Sequence, residues 1–339
     1  MADQGTGLNG QNILDWLSRL EVAEGRVHDR MVVFPVHSGG RGKRTGDLEY
    51  RTLSEAIAEG WVEVTERPSA TVPDLVLRNR GRTMVLVFDG EEIVGGKQNR
   101  IVNASFLVAA ESEVVLPVTC VEQGRWRDVS PSFASGESAN FSLRREKSSQ
   151  VAESLRTTGR PVADQSAVWE HLSALHVDSD TFSETGAMND LYRSRGGSLS
   201  EYERGLPYCD EAIGMIVAIN GNIAGAELFD QPRTARVLWT KLVRSYALDA
   251  LAGPAGAPIS RSRAIRLLER ARGARFEACP SLALGEDVRL EGEGVTGAAL
   301  VYQGTPVHVS LFRTHHSGRA SAQATGIARA SFRRQARMD

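Results

Sequence analysis

Apolar and polar positions along this chain fall into two periods, one helical and one extended. In residues 12–24, Ile13, Trp16, Leu17 and Leu20 recur at helical spacing, which predicts an amphipathic helix. Residues 31–36 read as a short strand. Residues 52–59 read as a short helix, capped by Thr52 or Ser54 and closed by Gly60. Residues 61–66 then alternate as a half-buried strand does, and residues 72–77 form another apolar run. The densest β-like texture lies in residues 84–128. An apolar run from Met84 to Phe88 meets the turn dipeptide Asp89-Gly90, and a second run covers 114–121.

Between residues 140 and 204 the texture changes to polar, helix-favouring segments at 141–156, 165–175 and 188–193, broken at Gly196-Gly197-Ser198. This predicts a helical insertion, about residues 137–205, between two sheet-rich parts, with its dense charge on solvated faces. Strand texture resumes at 213–219 and 223–229 around Asn220-Gly221. A helix follows with Asp230 as its cap and Pro232 in its first turn, and Leu238, Leu242, Tyr246 and Ala250 form its stripe up to Gly253-Pro254. Residues 262–272 predict a basic helix, and residues 288–290 and 297–312 return to sheet. The fold class expected is α+β, mostly antiparallel sheets built from related β-hairpins and flanked by helices. The expected organisation is an N-terminal segment and helix (1–24), a single α+β domain (25–313) and an Arg-rich, disordered tail (314–339).

Three segments can be superposed as hairpins: residues 85–97 about Asp89-Gly90, 216–229 about Asn220-Gly221, and 300–312 about Gln303-Gly304. If they are one repeated unit, they converge on one cleft, with Lys97 and Glu227 at comparable places. Leu311 stands there in the third copy. Any β-hairpin shares this pattern, so ordinary hairpins account for it equally well.

With 339 residues, 41% of them hydrophobic, the chain can bury a large core. A formal net charge of −2 points to neither nucleic acid nor membrane as partner, and no apolar run reaches the roughly 18 residues of a membrane span. The first residues lack a secretory pattern. Three scattered cysteines, Cys120, Cys209 and Cys279, fit reduced thiols of a cytoplasmic protein. The spacing offers no zinc motif. A carboxylate-bound Mg²⁺ is open through Glu91, Glu92, Glu122 or Glu227, and a homo-oligomer is compatible with the composition.

Chemistry-bearing residues concentrate in residues 84–128. Gly95-Gly96 allows close backbone approach and could form an anion-binding nest. Lys97 and Arg100 would add charge, and Gln98 and Asn99 would offer donors and acceptors to a base or ribose. Cys120 and Glu122 share a strand face, as a thiol nucleophile and general base would, although a small cysteine in a β-run is more often core filler. Glu91 and Glu92 point to opposite faces and do not form an acid–base pair with each other; a cross-strand ion pair is the simpler use. Arg125 and Trp126 can present a cation and an aromatic face to a stacked base, or pack inward. His308, between apolar neighbours, reads as structural before it reads as a base. The loop Ser38-Gly39-Gly40-Arg41-Gly42-Lys43-Arg44 lacks the Gly-Lys-Ser/Thr ending of a P-loop and reads as a flexible basic loop.

The segments LSEAIAEGWVEVTE, VFDGEEIVGGKQNRIVNASFLV, LPVTCVEQGRW, NGNIAGAELFD, LWTKLVRSYALDAL and PVHVSLFR resemble the ARG-and-rhodanese-phosphatase-superfamily-associated protein domain family, over roughly residues 28–128 and 208–313. The resemblance implies one intracellular α+β domain with a role in NAD or ADP-ribose metabolism. It implies a candidate site of Glu91, Glu92, Lys97, Gln98, Asn99, Arg100, Cys120, Glu122, Arg125 and Trp126. Three readings follow. One is a hydrolase of a nucleotide-derived metabolite, with phosphate held by the Gly-Gly-Lys segment and Glu92 or Glu122 as base. Another is a non-catalytic module that binds such a metabolite. The last is a scaffold whose conspicuous charges are structural ion pairs. The first two require these groups to line a water-accessible hollow.

Overall fold

The structure, a computed structural model, describes residues 8–39, 48–67 and 73–314. Most of the glycine-rich basic loop and nearly all of the Arg-rich tail lie outside the described residues. The chain opens with α1 (Leu8–Ser18), β1 (Leu20–Val22), β2 (Arg26–His28), β3 (Met31–Ser38), β4 (Tyr50–Thr52) and α2 (Leu53–Ala58). Then come β5 (Val62–Glu66), β6 (Asp74–Asn79), β7 (Met84–Val87), β8 (Glu91–Val94), β9 (Arg100–Val102), β10 (Phe106–Val108), β11 (Ser112–Cys120) and β12 (Ala134–Ser138). Helices α3 (Phe141–Thr158), α4 (Gln165–Asp178), α5 (Met188–Ser194) and α6 (Gly196–Gly205) follow, then the strands β13 (Gly214–Ile219) and β14 (Asn222–Phe229). The chain continues through α7 (Pro232–Ala252), α8 (Arg261–Arg272), β15 (Arg275–Pro280), β16 (Glu286–Gly292), β17 (Val295–Tyr302) and β18 (Thr305–Arg313). This is an α+β architecture, and among the described residues the one parallel strand pair is β4 with β7.

The larger sheet runs β1-β3-β13-β14-β18-β17-β16-β15, with β2 also on β3. Its faces are both covered because alternate residues of a strand point to opposite sides. On β13, Met215 and Val217 enter a core shared with Leu238, Leu242 and Tyr246 of α7, while Ile216 and Ala218 enter a second core with Ile13 and Leu17 of α1 and Leu267 and Leu268 of α8. A six-stranded sheet, β12-β8-β9-β11-β6-β5, builds a third core with Leu53 and Ala56 of α2. A small sheet, β10-β7-β4, lies in between. Thr52 caps α2 in a capping box with Glu55.

Three expectations are corrected here. The segment about Asp89-Gly90 is not a hairpin. The turn forms, with the Glu91 amide donating to the Phe88 carbonyl at 3.2 Å. However, β7 pairs with β10 and β4, whereas β8 pairs with β9 and β12. Gly90 is tied instead to Val102 and Ala139, so the strands on either side of the turn diverge into different sheets. The segments about Asn220-Gly221 and Gln303-Gly304 are true hairpins and stand side by side, β14 on β18. The repeat is thus two hairpins.

The charge of the 137–205 helices is not confined to solvated faces. Arg144 and Lys147 of α3 are fully buried, each paired with a carboxylate: Arg144 with Glu227 at 2.5 Å, and Lys147 with Asp89. Helix α7 is capped by Gln231 without a side-chain bond, because Asp230 accepts the Tyr50 hydroxyl instead.

Candidate functional site

The pairing of β9 with β11 sets Arg100 opposite Cys120, and so brings the segment after β8 against the segment after β11. The two polar motifs interlock. Glu122 pairs with Arg125 at 2.6 Å and accepts the Asn99 amide at 3.1 Å and the Thr185 hydroxyl at 3.1 Å. Arg125 donates to the Gly96 carbonyl at 2.7 Å and to Asn99 Oδ1 at 2.9 Å. Gln98 donates to the Glu122 carbonyl at 2.7 Å, and Arg100 to the Gln98 carbonyl at 2.7 Å. Burial works to raise the Glu122 carboxyl, but Arg125 and the Asn99 amide hold it below the usual carboxylate range. Burial lowers the Arg100 guanidinium, with Cys120 and Glu66 opposing.

The Gly95, Gly96 and Lys97 amides are each taken by a different acceptor of the chain itself. Gly95 N–H donates to Asn99 Oδ1 at 3.2 Å, Gly96 N–H to Ser130 Oγ at 3.3 Å, and Lys97 N–H to Glu66 Oε1 at 2.9 Å. Both glycines have positive φ, +142° and +49°, and a Cβ at either would strike Ser130 and Phe133 or Phe133 and Glu66. Two residues of the interlocked set reach solvent. Trp126 is 56% exposed, and the half-buried Lys97 lies with its Nζ 5.6 Å from the centre of the indole ring.

Cys120 is buried, and burial raises its thiol, with Arg100 opposing. Its backbone N–H and C=O are both held by the side-chain amide of Gln165, each at 2.8 Å. The nearest carboxylate in sequence, Glu122, is committed to Arg125, and Glu66 acts on the thiol only to raise it further.

Glu91 and Glu92 stand apart from that set, on β8 between β9 and β12. Glu91 meets Lys241 of α7 at 3.1 Å and Ser135 at 2.9 Å, and its Oε2 has no partner. Glu92 is fully buried, accepts the Glu137 amide at 3.1 Å and Asn189 Nδ2 at 3.2 Å, and leaves Oε1 unpartnered. Burial pushes its carboxyl up to about 7 against those two hydrogen bonds. It therefore changes protonation near neutrality, as a general acid or base does.

Glu227 and His308 meet in a third place. Ser105 Oγ lies 2.7 Å from His308 Nδ1, and His308 Nε2 lies 3.0 Å from Glu227 Oε2, whose other oxygen holds Arg144. Ser105 escaped the sequence reading because its partners are distant in the chain; the family-like NASFLV segment held it without marking it. The order serine, histidine, carboxylate is that of an activated hydroxyl. The cavity beside Ser105, however, is about 10 Å³, room for about one water. His308 is stacked on Phe229 with ring centres 4.9 Å apart. The network is closed as it stands.

The sequence-derived residues thus form three groups rather than one hollow. Glu91 and Glu92, Glu122, and Glu227 do not converge, and among the described residues no cluster of three or more His, Cys, Asp or Glu side chains could hold a metal ion. The described residues include no helix long and apolar enough to cross a membrane.

Residues 19–312 match the model of the ARG and Rhodanese-Phosphatase-superfamily-associated Protein domain, and the chain belongs to that family. No curated protein and no solved structure matches it significantly.

Proposed function

We propose that this protein is a cytoplasmic module that binds an ADP-ribose-like, NAD-derived or other phosphorylated nucleoside metabolite at the rim of the interlocked segments. The observation that carries the reading is the pair of Lys97 and the exposed Trp126, one on each of the two interlocked loops, whose Gly95, Gly96 and Lys97 amides and Gly96 carbonyl are held within the protein. A rigid support of that kind lowers the ordering cost of binding. Trp126 offers a stacking face for a base and Lys97 a charge for a phosphate.

Thermal-shift titration of the full chain with ADP-ribose, NAD and mononucleotides tests this. A ligand-dependent rise in Tm is expected. Trp126→Ala should weaken binding by roughly ten- to hundredfold, the worth of one base stack, with the unliganded Tm unchanged because the ring is exposed. Glu92→Gln, a change at a buried position apart from the rim, should leave binding unaltered. No shift from any of these compounds at millimolar concentration would overturn the reading.

The saturation of Glu122 and Arg125 favours a second reading, a scaffold whose charges are structural. On that reading, Arg125→Ala lowers Tm strongly while no nucleotide produces a shift.

A further inference from the structure

Helix α8 turns four apolar residues, Ala264, Leu267, Leu268 and Ala271, into the second core. Its other face carries Arg263, Arg266 and Arg270, whose spacing sets them on one stripe. Beside that stripe β18 ends at Arg313, and Asn222, at the start of β14, closes the opposite wall. The half-open cavity is about 320 Å³, at the small end of the range for metabolite sites.

We infer that this cavity is a second ligand site, one for a small molecule bearing a diphosphate or longer phosphate chain, gripped by Arg263, Arg266, Arg270 and Arg313. Two of the guanidinium groups, those of Arg270 and Arg313, are held together rather than merely near. Arg270 donates to the Glu293 carbonyl at 2.9 Å and Arg313 to the adjacent Gly294 carbonyl at 2.7 Å. Gly294 leaves room for both heads, since a Cβ there would run into each of them.

Like charges so placed repel each other. Burial and then the neighbouring Arg270 and Arg263 depress the Arg313 guanidinium. Among the described residues none of the four forms a salt bridge, whereas Arg261 on the same helix pairs with Glu24 at 3.3 Å. A cluster of cations in which none is ion-paired, with Glu293 acting on Arg313 from beyond ion-pair distance, becomes favourable once an anion occupies it, and planar guanidinium forks match phosphate oxygens two at a time. A single phosphate carries too little charge to neutralise four cations, which selects the diphosphate class. The site stands on α8 and β18, away from Lys97 and Trp126, and does not depend on the function proposed above.

Arg263 and Arg266 are exposed and their side chains make no described hydrogen bond, so Arg263→Ala and Arg266→Ala together should leave the fold intact. Calorimetric titration of the full chain with inorganic pyrophosphate at low salt should give saturable binding, tighter than for inorganic phosphate. The double variant should bind at least tenfold more weakly at an unchanged Tm, and Lys97→Ala should bind pyrophosphate as the parent does. Absence of saturable pyrophosphate binding, or equal binding by the double variant, would overturn the inference. So would a duplex oligonucleotide that binds through these arginines while pyrophosphate does not compete, since that outcome describes a polyanion surface and not a pocket.

Discussion

Glu92 is the carboxylate on which the solution behaviour of β8 turns. In the unfolded chain its pKa is the ordinary 4.5, and in the fold burial raises it to about 7. Between those values the folded state binds the extra proton, so stability falls as pH rises through that window. Below it both states are protonated and the group contributes nothing. Above it the cost is at its full size, on the order of 3 kcal/mol by the free energy of a pKa unit. Glu92→Gln should remove that slope. Urea unfolding at pH 5 and pH 8 is expected to show the variant losing about 3 kcal/mol less than the parent, and equal losses would show that the carboxyl is not buried as described. The same neighbourhood shows why sequence reading reached only part of the site. Glu91, Glu92, Glu122 and Arg125 sit in conspicuous motifs. Their partners Lys241, Asn189 and Thr185 come from α7, α5 and the segment between α4 and α5, with no local mark.

Elements show the same division. The hairpins of β13–β14 and β17–β18 were legible because a polar residue plus glycine turns each one and the strands are long. Strands β1, β2, β4, β9 and β10 are three residues each, too short for a periodicity, and β4 exists through its distant partner β7. Asp89-Gly90 misled because a turn dipeptide fixes only the turn. Whether its flanks pair depends on what lies beside them, and here Lys147 and Ala139 stand there. The loop between β8 and β9 is the element most exposed to a small change. Gly95→Ala would place a Cβ against Ser130 and the Phe133 backbone at a positive φ. Thermal unfolding should fall by several degrees, a loss of about 1–3 kcal/mol. Tryptophan emission from position 126, in a chain whose other tryptophans are replaced by phenylalanine, should lose its response to nucleotide. An unchanged Tm would show that the loop does not need glycine there.

On the scale of the whole molecule, the 137–205 helices are part of the core and not an appendage. Arg144 and Lys147 reach from α3 to Glu227 on the larger sheet and to Asp89 at the end of β7. Removing α3 would strand buried charges on both. Native-state hydrogen exchange should therefore find the amides of α3 opening together with β13 and β14, at the global unfolding free energy. Early, independent exchange of α3 would mean that the two ion pairs do not join the sheets. The placement of α4 has a further consequence. Where β11 runs past the end of β6, its last residue has a backbone donor and acceptor with no strand beside them, and Gln165 supplies both complements from a side chain. That amide plays the part of a missing neighbour strand one residue long. On β11, an interior strand, the glutamine occupies the backbone groups that an intruding extended peptide would need at that point.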